Sequence, residues 1–376
     1  MLIAAKRILL GDADHFTQGW VKVTGGWIVA AGTGPAPSEA DEVIDGWLIP
    51  GYVDPHAHGG GGASFVTDNP ADVDAVLAAH RAVGTTTMVA SLVTGSIPDL
   101  KRQVRLLAEK VDEGDLAGIH LEGPWLADKF KGAHPLELLA DPDPAVVEDL
   151  LEAGGGAVKM VTIAPERPGA LEAIAVMVAH GCVPAIGHTN ADYETTKAAI
   201  DAGARGATHL FNAMPTLKHR EPGPVLALWE DPRVTVELVL DGIHLRPELA
   251  AFVMQTVPDR VSLVTDAMAA AGAPDGDYVL GELAVEVRDR VARLAGSDTI
   301  AGSTLTLDRA VRNAVAAGVP LVQAVRSATS INADYMGLTE VGRIGAGMRA
   351  DLVVLDEDQA VTRVMHRGAW LSSDAG

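Results

Sequence analysis

Residues 48–317 alternate between short, mostly apolar runs and longer stretches in which apolar positions recur every three or four residues. The first pattern predicts strands buried on both faces, and the second predicts helices with one apolar side. The pairs read in this way are 48–53 with 71–83, 85–92 with 97–111, 116–121 with 144–153, and 159–163 with 168–180. They continue with 183–186 and 193–202, 206–210 and 225–229, 234–240 and 247–257, and then 261–264, whose partner helix at 304–317 follows a long insertion. Eight units with apolar strands predict an α/β fold of the TIM-like (β/α)8 barrel type. An open doubly wound sheet shares the alternation, but no Gly-x-Gly-x-x-Gly follows a strand to open a helix, so the closed barrel is preferred.

The flanks have a different texture. Residues 2–10, 19–23, 27–31 and 42–45 are strand-like runs divided by turns such as Gly25-Gly26, and residues 350–356 and 361–365 resemble them. Neither half looks self-sufficient. The expected organisation is a small β-sandwich domain formed by both chain ends, residues 1–47 and 341–376, around an inserted barrel of residues 48–340. For a 376-residue chain, one barrel of about 250 residues with an appendage fits better than three small domains.

Composition narrows the functional classes. Hydrophobic residues make up 48% and charged residues 21%, as in ordinary globular proteins. The formal net charge of -21, with no Lys/Arg-rich run, argues against a nucleic-acid partner, which needs a basic footprint. An anionic substrate would be held by a few local cations acting against the overall field. Cys182 is the only cysteine, which precludes an intrachain disulfide and points to a reducing, cytoplasmic setting. The basic pair Lys6-Arg7 follows the first apolar residues, unlike the order in a secretory leader. No apolar run approaches the roughly 20 residues of a membrane helix, so no membrane partner is expected.

Candidate chemistry is concentrated at predicted strand ends. In Asp54-Pro55-His56-Ala57-His58-Gly59, two imidazoles stand two residues apart, on one face if the run is a strand. They either face solvent or begin a metal site. Glu122 closes the third strand and is either a ligand or an ion-pair partner, because a carboxylate against a buried strand needs one or the other. His188 and His209 close the fifth and sixth strands, His244 the seventh, and Asp266 the eighth. Polar residues at the C-terminal ends of barrel strands are where this architecture places its chemistry. Imidazoles with a carboxylate suit Zn, Fe or a related divalent ion. Asp266 is either a helix N-cap or a base that takes a proton from metal-activated water and returns it to a leaving amine. His120, two residues before Glu122, is expected deeper in the barrel, and His15, His80, His180, His219 and His366 are read as structural.

With these residues assembled, and with the run from Val341 to Val354 returning to the small domain, the chain resembles the amidohydrolase superfamily. Within it the chain is most similar to the deacetylases of N-acetylated amino sugar 6-phosphates. The segments that carry the likeness are His120-Leu121-Glu122-Gly123-Pro124-Trp125, Lys131-Gly132-Ala133-His134, Gly187-His188-Thr189 and Thr208-His209-Leu210-Phe211-Asn212-Ala213-Met214-Pro215. Arg220-Glu221-Pro222-Gly223, Asp241-Gly242-Ile243-His244 and Val264-Thr265-Asp266-Ala267 complete the set. The resemblance implies hydrolysis of N-acetylglucosamine 6-phosphate to acetate and glucosamine 6-phosphate. It implies that Glu122, His188 and His209 hold the main metal and that Asp266 activates water. Ala133 and His134 would lie on a loop over the substrate, with His134 polarising the acetyl carbonyl. Asn212, Ala213, Arg220, His244, Ile300, Ala301 and Gly302 would contact the small-molecule amino sugar phosphate, and Arg220 would reach a neighbour's phosphate in a homodimer. Because His56 and His58 are both present, one or two ions per subunit are allowed, the second bridged through Glu122.

A cyclic-amide hydrolase of the same superfamily would use a modified lysine at the end of the fourth strand. Lys159 stands at the start of that strand, toward the wrong end of the barrel, so Glu122 is the preferred bridge. A non-catalytic relative should have lost ligands or the base, and none is missing. The galactosamine analogue is the alternative substrate. The run of glycines at 59–62 is assigned no role.

Overall fold

The computed structural model describes residues 1–372; residues 373–376, the last of the expected second half of the small domain, lie outside the described residues. Eight parallel strands stand side by side in chain order: Tyr52–Ala57, Thr85–Val93, Gly118–Glu122, Val158–Ile163, Val183–Ile186, Gly206–Ala207, Thr235–Val239 and Val261–Val264. The sheet closes on itself through a parallel bridge between Ala57 and Ala267, where the Asp266 N–H donates to His56 O at 2.8 Å and the His58 N–H to Ala267 O at 2.7 Å. Deeper in the seam the buried Asp54 carboxylate accepts from the Thr265 hydroxyl at 2.6 Å. The first and last strands are therefore joined next to three of the residues expected to carry chemistry.

The helices begin where local chemistry favours it. Asn69-Pro70 and Asp143-Pro144 set a capping side chain before a proline whose missing N–H costs nothing at the first turn, and they start helices Pro70–Arg81 and Pro144–Ala153. Ser96 caps helix Ile97–Asp112 by accepting from the Asp99 N–H. The apolar faces of these helices join the fully buried strands in one continuous core.

The sixth strand is shorter than its apolar pattern predicts. It covers only Gly206–Ala207, because His209 adopts φ 30° and Phe211 φ 80°, so the chain turns before residues 208–210 can extend. The long insertion after the last barrel strand forms a three-stranded antiparallel sheet, Gly276–Leu280, Leu283–Arg288 and Val291–Leu294. Its buried residues Leu280, Val285, Val287 and Ala292 pack with Ala133, Met268 and Ala301 at the mouth of the barrel.

Both chain ends contribute to one further, mostly antiparallel sheet of seven strands. Leu2–Ile8, Thr17–Thr24, Trp27–Thr33 and Glu42–Pro50 lie beside Leu352–Leu355, Val361–His366 and Ala369–Trp370. Their inward residues, among them Ile3, Ile8, Val21, Ile44, Leu352 and Met365, share one core. The strand Glu42–Pro50 runs past residue 47 and passes directly into the first barrel strand through Gly51. A side chain at Gly51 would overlap the Thr86 hydroxyl, so only glycine lets the two sheets meet so closely.

Candidate active site

Three site residues, His188, His209 and Asp266, have φ of 46°, 30° and 49°, and Ala213 has 50°. Left-handed backbone at a non-glycine residue costs of order 1 kcal/mol or more and persists only where the surroundings impose it. Here the strand ends bend inward, which turns each side chain over the barrel axis instead of along the wall.

The inward side chains form two groups that share Glu122. On one side Glu122 Oε1 lies 3.2 Å from His188 Nε2 and 3.1 Å from His209 Nε2, and those two nitrogens are 3.1 Å apart. On the other, His58 Nε2 lies 3.2 Å from Glu122 Oε2, 3.2 Å from Asp266 Oδ1 and 3.2 Å from His56 Nε2. His56 Nε2 is 3.7 Å from Glu122 Oε1 and 3.6 Å from Asp266 Oδ1. All of these side chains are buried.

Several features show that the donor set fits a divalent metal. Ligands arranged tetrahedrally at about 2.0 Å from an ion stand about 3.3 Å from one another, close to the spacings found. His188 Nδ1 donates to Phe130 O at 2.8 Å and His58 Nδ1 to Ser91 O at 3.2 Å. A carbonyl oxygen only accepts, so these rings carry their proton on Nδ1 and turn the Nε2 lone pair into the cage. His56 Nδ1 faces Glu237 Oε2 at 3.1 Å in the same sense. The cage also calls for positive charge. Burial lowers the His56 imidazole, but the hydrogen bond to Glu237 and the charges of Glu122 and Asp266 outweigh it and raise it to about 10. Burial likewise pushes the Glu122 and Asp266 carboxyls up, yet the surrounding histidines hold both below the ordinary carboxylate range. A divalent cation answers the same field without proton transfer.

His134 has the opposite polarity. The Thr94 backbone N–H, which can only donate, points at His134 Nδ1 from 3.3 Å, with the Thr94 hydroxyl at 2.9 Å. The proton of His134 therefore sits on Nε2, 3.5 Å from Glu122 Oε2, and faces the site as a donor. Burial, reinforced by the charge of His188, lowers this imidazole to about 4, so it stays neutral near pH 7.

A pocket of about 380 Å³ opens above the cage, within the range of small-molecule sites. Of the residues expected to touch substrate, Ala133, His134, Asn212, Ala213, His244, Ile300 and Gly302 line it. His244 Nδ1 bonds Asp241 Oδ2 at 2.8 Å, and its Nε2 lies 3.7 Å from Asp266 Oδ2. Ala301 is fully buried, with its side chain in the apolar cluster behind the pocket wall. Arg220 is not brought to this pocket: it is exposed and lines a separate depression with Tyr193, Lys218 and Glu221.

Sequence reasoning passed over other residues at the site. Lys129, Phe130, Leu280, Asp298 and Thr299 also line the pocket, and Lys129 is the one lysine or arginine among the described residues that do so. Lys129 and Phe130 lie in a single helical turn, Leu280 ends the strand Gly276–Leu280, and Asp298 and Thr299 lie in a loop, so no shared periodicity marks them. Glu237 is a lone carboxylate inside the apolar strand Thr235–Val239, the one signal in the sequence that sets it apart. His120 is buried in a chain of hydrogen bonds from Ser91 to Thr162 and on to Thr208, which takes both its ring nitrogens, and its ring packs edge-on against His56 with centroids 4.6 Å apart, as expected of a deeper residue. His80 bonds Gly59 O at 3.0 Å and has a structural place.

A closed barrel with this cage at its C-terminal mouth, flanked by a carboxylate acceptor on one side and an imidazole donor on the other, defines a metal-dependent hydrolase. The model of the amidohydrolase family matches residues 47–371, and the chain belongs to that family. It is 36% identical to the N-acetylgalactosamine-6-phosphate deacetylase of Escherichia coli O157:H7, over 92% of this chain and 93% of that protein. It is 35% identical to the N-acetylglucosamine-6-phosphate deacetylase of Vibrio furnissii, over 85% and 82%. Among solved structures it is similar to a mutant of the N-acetyl-D-glucosamine-6-phosphate deacetylase of Mycobacterium smegmatis in complex with N-acetyl-D-glucosamine-6-phosphate. That similarity has 50% identity and a TM-score of 0.96, and covers 98% of each chain. The N-acetylglucosamine-6-phosphate deacetylase of Thermotoga maritima is 32% identical with a TM-score of 0.89, over 98% of this chain and 99% of that one.

Proposed function

We propose that this chain hydrolyses N-acetylglucosamine 6-phosphate to glucosamine 6-phosphate and acetate. The observation that carries the reading is the opposed polarity of Asp266 and His134 across Glu122, in a fold shared at 50% identity with an enzyme that binds this sugar phosphate. Glu122, His188 and His209 would hold a divalent ion, which when bound would supply Lewis acidity and make water a stronger acid. Asp266, held ionised by its histidine neighbours, takes one proton from the water as its oxygen adds to the acetyl carbon. The Nε2–H of His134 donates to the carbonyl oxygen as negative charge collects there. Asp266 then gives its proton to the sugar nitrogen, the C–N bond breaks, and the acid and the amine leave, the carboxyl proton that remains from water passing to the amine or to solvent to give acetate.

Asn212, Ala213 and His244 are assigned to the sugar phosphate, with Ile300, Ala301 and Gly302 forming the wall behind the ring. Arg220, remote from its own subunit's pocket, is assigned to the phosphate bound by a neighbour in a homodimer, where its planar fork suits that group. His56 and His58 would hold a second ion on their side of Glu122, with zinc or iron the metals that match the ligand set. A cytoplasmic setting accords with the single, buried Cys182. Among the described residues no helix is long and apolar enough to cross a membrane.

The galactosamine epimer is the second reading, because the chain is 36% identical to a deacetylase of that substrate. The test of both is acetate release by metal-loaded protein from N-acetylglucosamine 6-phosphate, N-acetylgalactosamine 6-phosphate and unphosphorylated N-acetylglucosamine. Turnover of the first well above the other two is expected. A preference for the second substrate would transfer the assignment to the epimer, and no acetate from any of them with metal bound would overturn it.

A further inference from the structure

We propose that Glu237, backed by Tyr335, is a positioning residue that fixes the ring of His56 and thereby governs binding of the ion on the His56–His58 side of the cage. This rests on the reading of the cage as a metal centre and goes beyond it, because neither residue faces the substrate pocket.

Glu237 is completely buried inside the barrel on the seventh strand, among Val236, Leu238 and Val239. A carboxylate there costs several kcal/mol unless it is paired and hydrogen-bonded. Its Oε2 accepts from His56 Nδ1 at 3.1 Å and from the His209 backbone N–H at 3.3 Å, so one oxygen holds residues from both sides of the cage. Its Oε1 faces the Tyr335 hydroxyl at 3.2 Å. That hydroxyl has a single hydrogen and two neighbours, Glu237 Oε1 and Met160 Sδ, the latter also at 3.2 Å. The carboxylate is much the stronger acceptor and takes it. Burial, and then the charge of Glu237, push the tyrosine well above its ordinary value, so it remains a donor.

The backbone makes room for this contact. Tyr335 ends the short helix Ser330–Tyr335 below the barrel, and its ring enters past Gly206 on the sixth strand. A Cβ at Gly206 would overlap the Tyr335 hydroxyl and come within 2.7 Å of Ala185 Cβ. Gly206, Tyr335, Glu237 and His56 thus form one line from the barrel floor to the cage. Its consequence is a fixed tautomer: a carboxylate at Nδ1 keeps the proton on that nitrogen and leaves Nε2 free, 3.2 Å from His58 Nε2. Without it the ring can turn over or move its proton to Nε2, and the His56–His58 side loses a ligand.

The test compares Glu237→Gln, Glu237→Met and Tyr335→Phe with wild type. Zn²⁺ stoichiometry and affinity are measured by titration, the visible spectrum after Co²⁺ substitution is recorded, and folding is checked by thermal melts. Glu237→Met, which has no acceptor, should weaken the His56-side ion roughly 100-fold. Glu237→Gln, which keeps an acceptor but loses the charge, should weaken it about 10-fold, the span seen when partners of metal-bound histidines are removed. Tyr335→Phe preserves shape and should give a smaller fall in the same direction, so it keeps the test open if Glu237→Met does not fold. In all three the Co²⁺ spectrum of the ion at Glu122, His188 and His209 should persist. Two ions bound with wild-type affinity in every variant would overturn the proposal, as would a wild type that binds a single ion unaffected by any of them. A wild type that binds no metal would instead refute the metal reading of the cage.

Discussion

Replacing Asp266 by asparagine should stop the reaction while leaving the site standing. The two side chains are nearly isosteric, and asparagine is among the residues that accept left-handed backbone, so φ 49° can be kept. The backbone anchors also survive, with the N–H on His56 O at 2.8 Å and the carbonyl accepting from the Ser303 N–H at 2.7 Å. What is lost is a proton acceptor 3.2 Å from His58 Nε2 and 3.7 Å from His244 Nε2. General acid–base catalysis contributes about 10²–10⁴ in rate, or roughly 3–5 kcal/mol of barrier. Because one carboxylate is assigned both transfers here, the upper part of that range is expected in kcat, with KM within about threefold. The assay is initial-rate acetate release over a range of substrate concentrations, with bound metal quantified in the same preparations. A variant within tenfold of wild-type kcat would refute the proton-carrier role. A fall in rate that follows a matching fall in bound metal would show Asp266 to be a ligand instead.

Changing His134 to leucine removes the imidazole donor assigned to the acetyl oxygen and should lower kcat about 10²–10³-fold with bound metal unchanged; steady-state kinetics with metal analysis decide it, and a lost ion would make His134 a ligand. Chelation should abolish activity and lower the melting temperature, since an ion present at 100 times its dissociation constant adds about 2.7 kcal/mol of stability; a melt indifferent to chelator would count against a metal in the folded protein. Burial alone would raise the Asp351 carboxyl, but His366, Arg349 and the Arg367 N–H hold it below its ordinary value. A depressed folded-state pKa gives stability that is present above the unfolded value and lost as pH falls through the folded one, so this contribution should disappear below about pH 4. Asp351→Asn should therefore cost about 3 kcal/mol at neutral pH and flatten the acid limb in denaturant titrations across that window; an unchanged acid limb would exclude Asp351 as its source.

The barrel and its cage were largely legible because both depend on local rules. Strands such as Thr85–Val93 are apolar on both faces, a pattern that only a doubly covered sheet explains. Strand direction then places His56, His58, Glu122, His188, His209 and Asp266 at one end of the barrel before any distance is known. The sixth strand was overestimated at 206–210 because an apolar run does not reveal that His209 and Phe211 leave the extended region. Side-chain direction was no more legible: only the fold shows that Arg220 lines a depression separate from its own pocket and that the Ala301 side chain joins the apolar cluster behind the pocket wall.

By itself the sequence determined the repeating strand and helix units, the meeting of the chain ends in one sheet, and the candidate metal-ligand side chains at the strand ends, because periodicity and residue chemistry act over a few positions. Tertiary structure alone decided the polarity of His56, His58, His134 and His188 and the contact of Glu237 with His56. Whether a histidine is a ligand or a donor depends on what its second nitrogen meets: Phe130 O for His188, the Thr94 N–H for His134, and Glu237 for His56. Those partners lie 58, 40 and 181 residues away in the chain, and only closure of the barrel brings them within hydrogen-bonding distance.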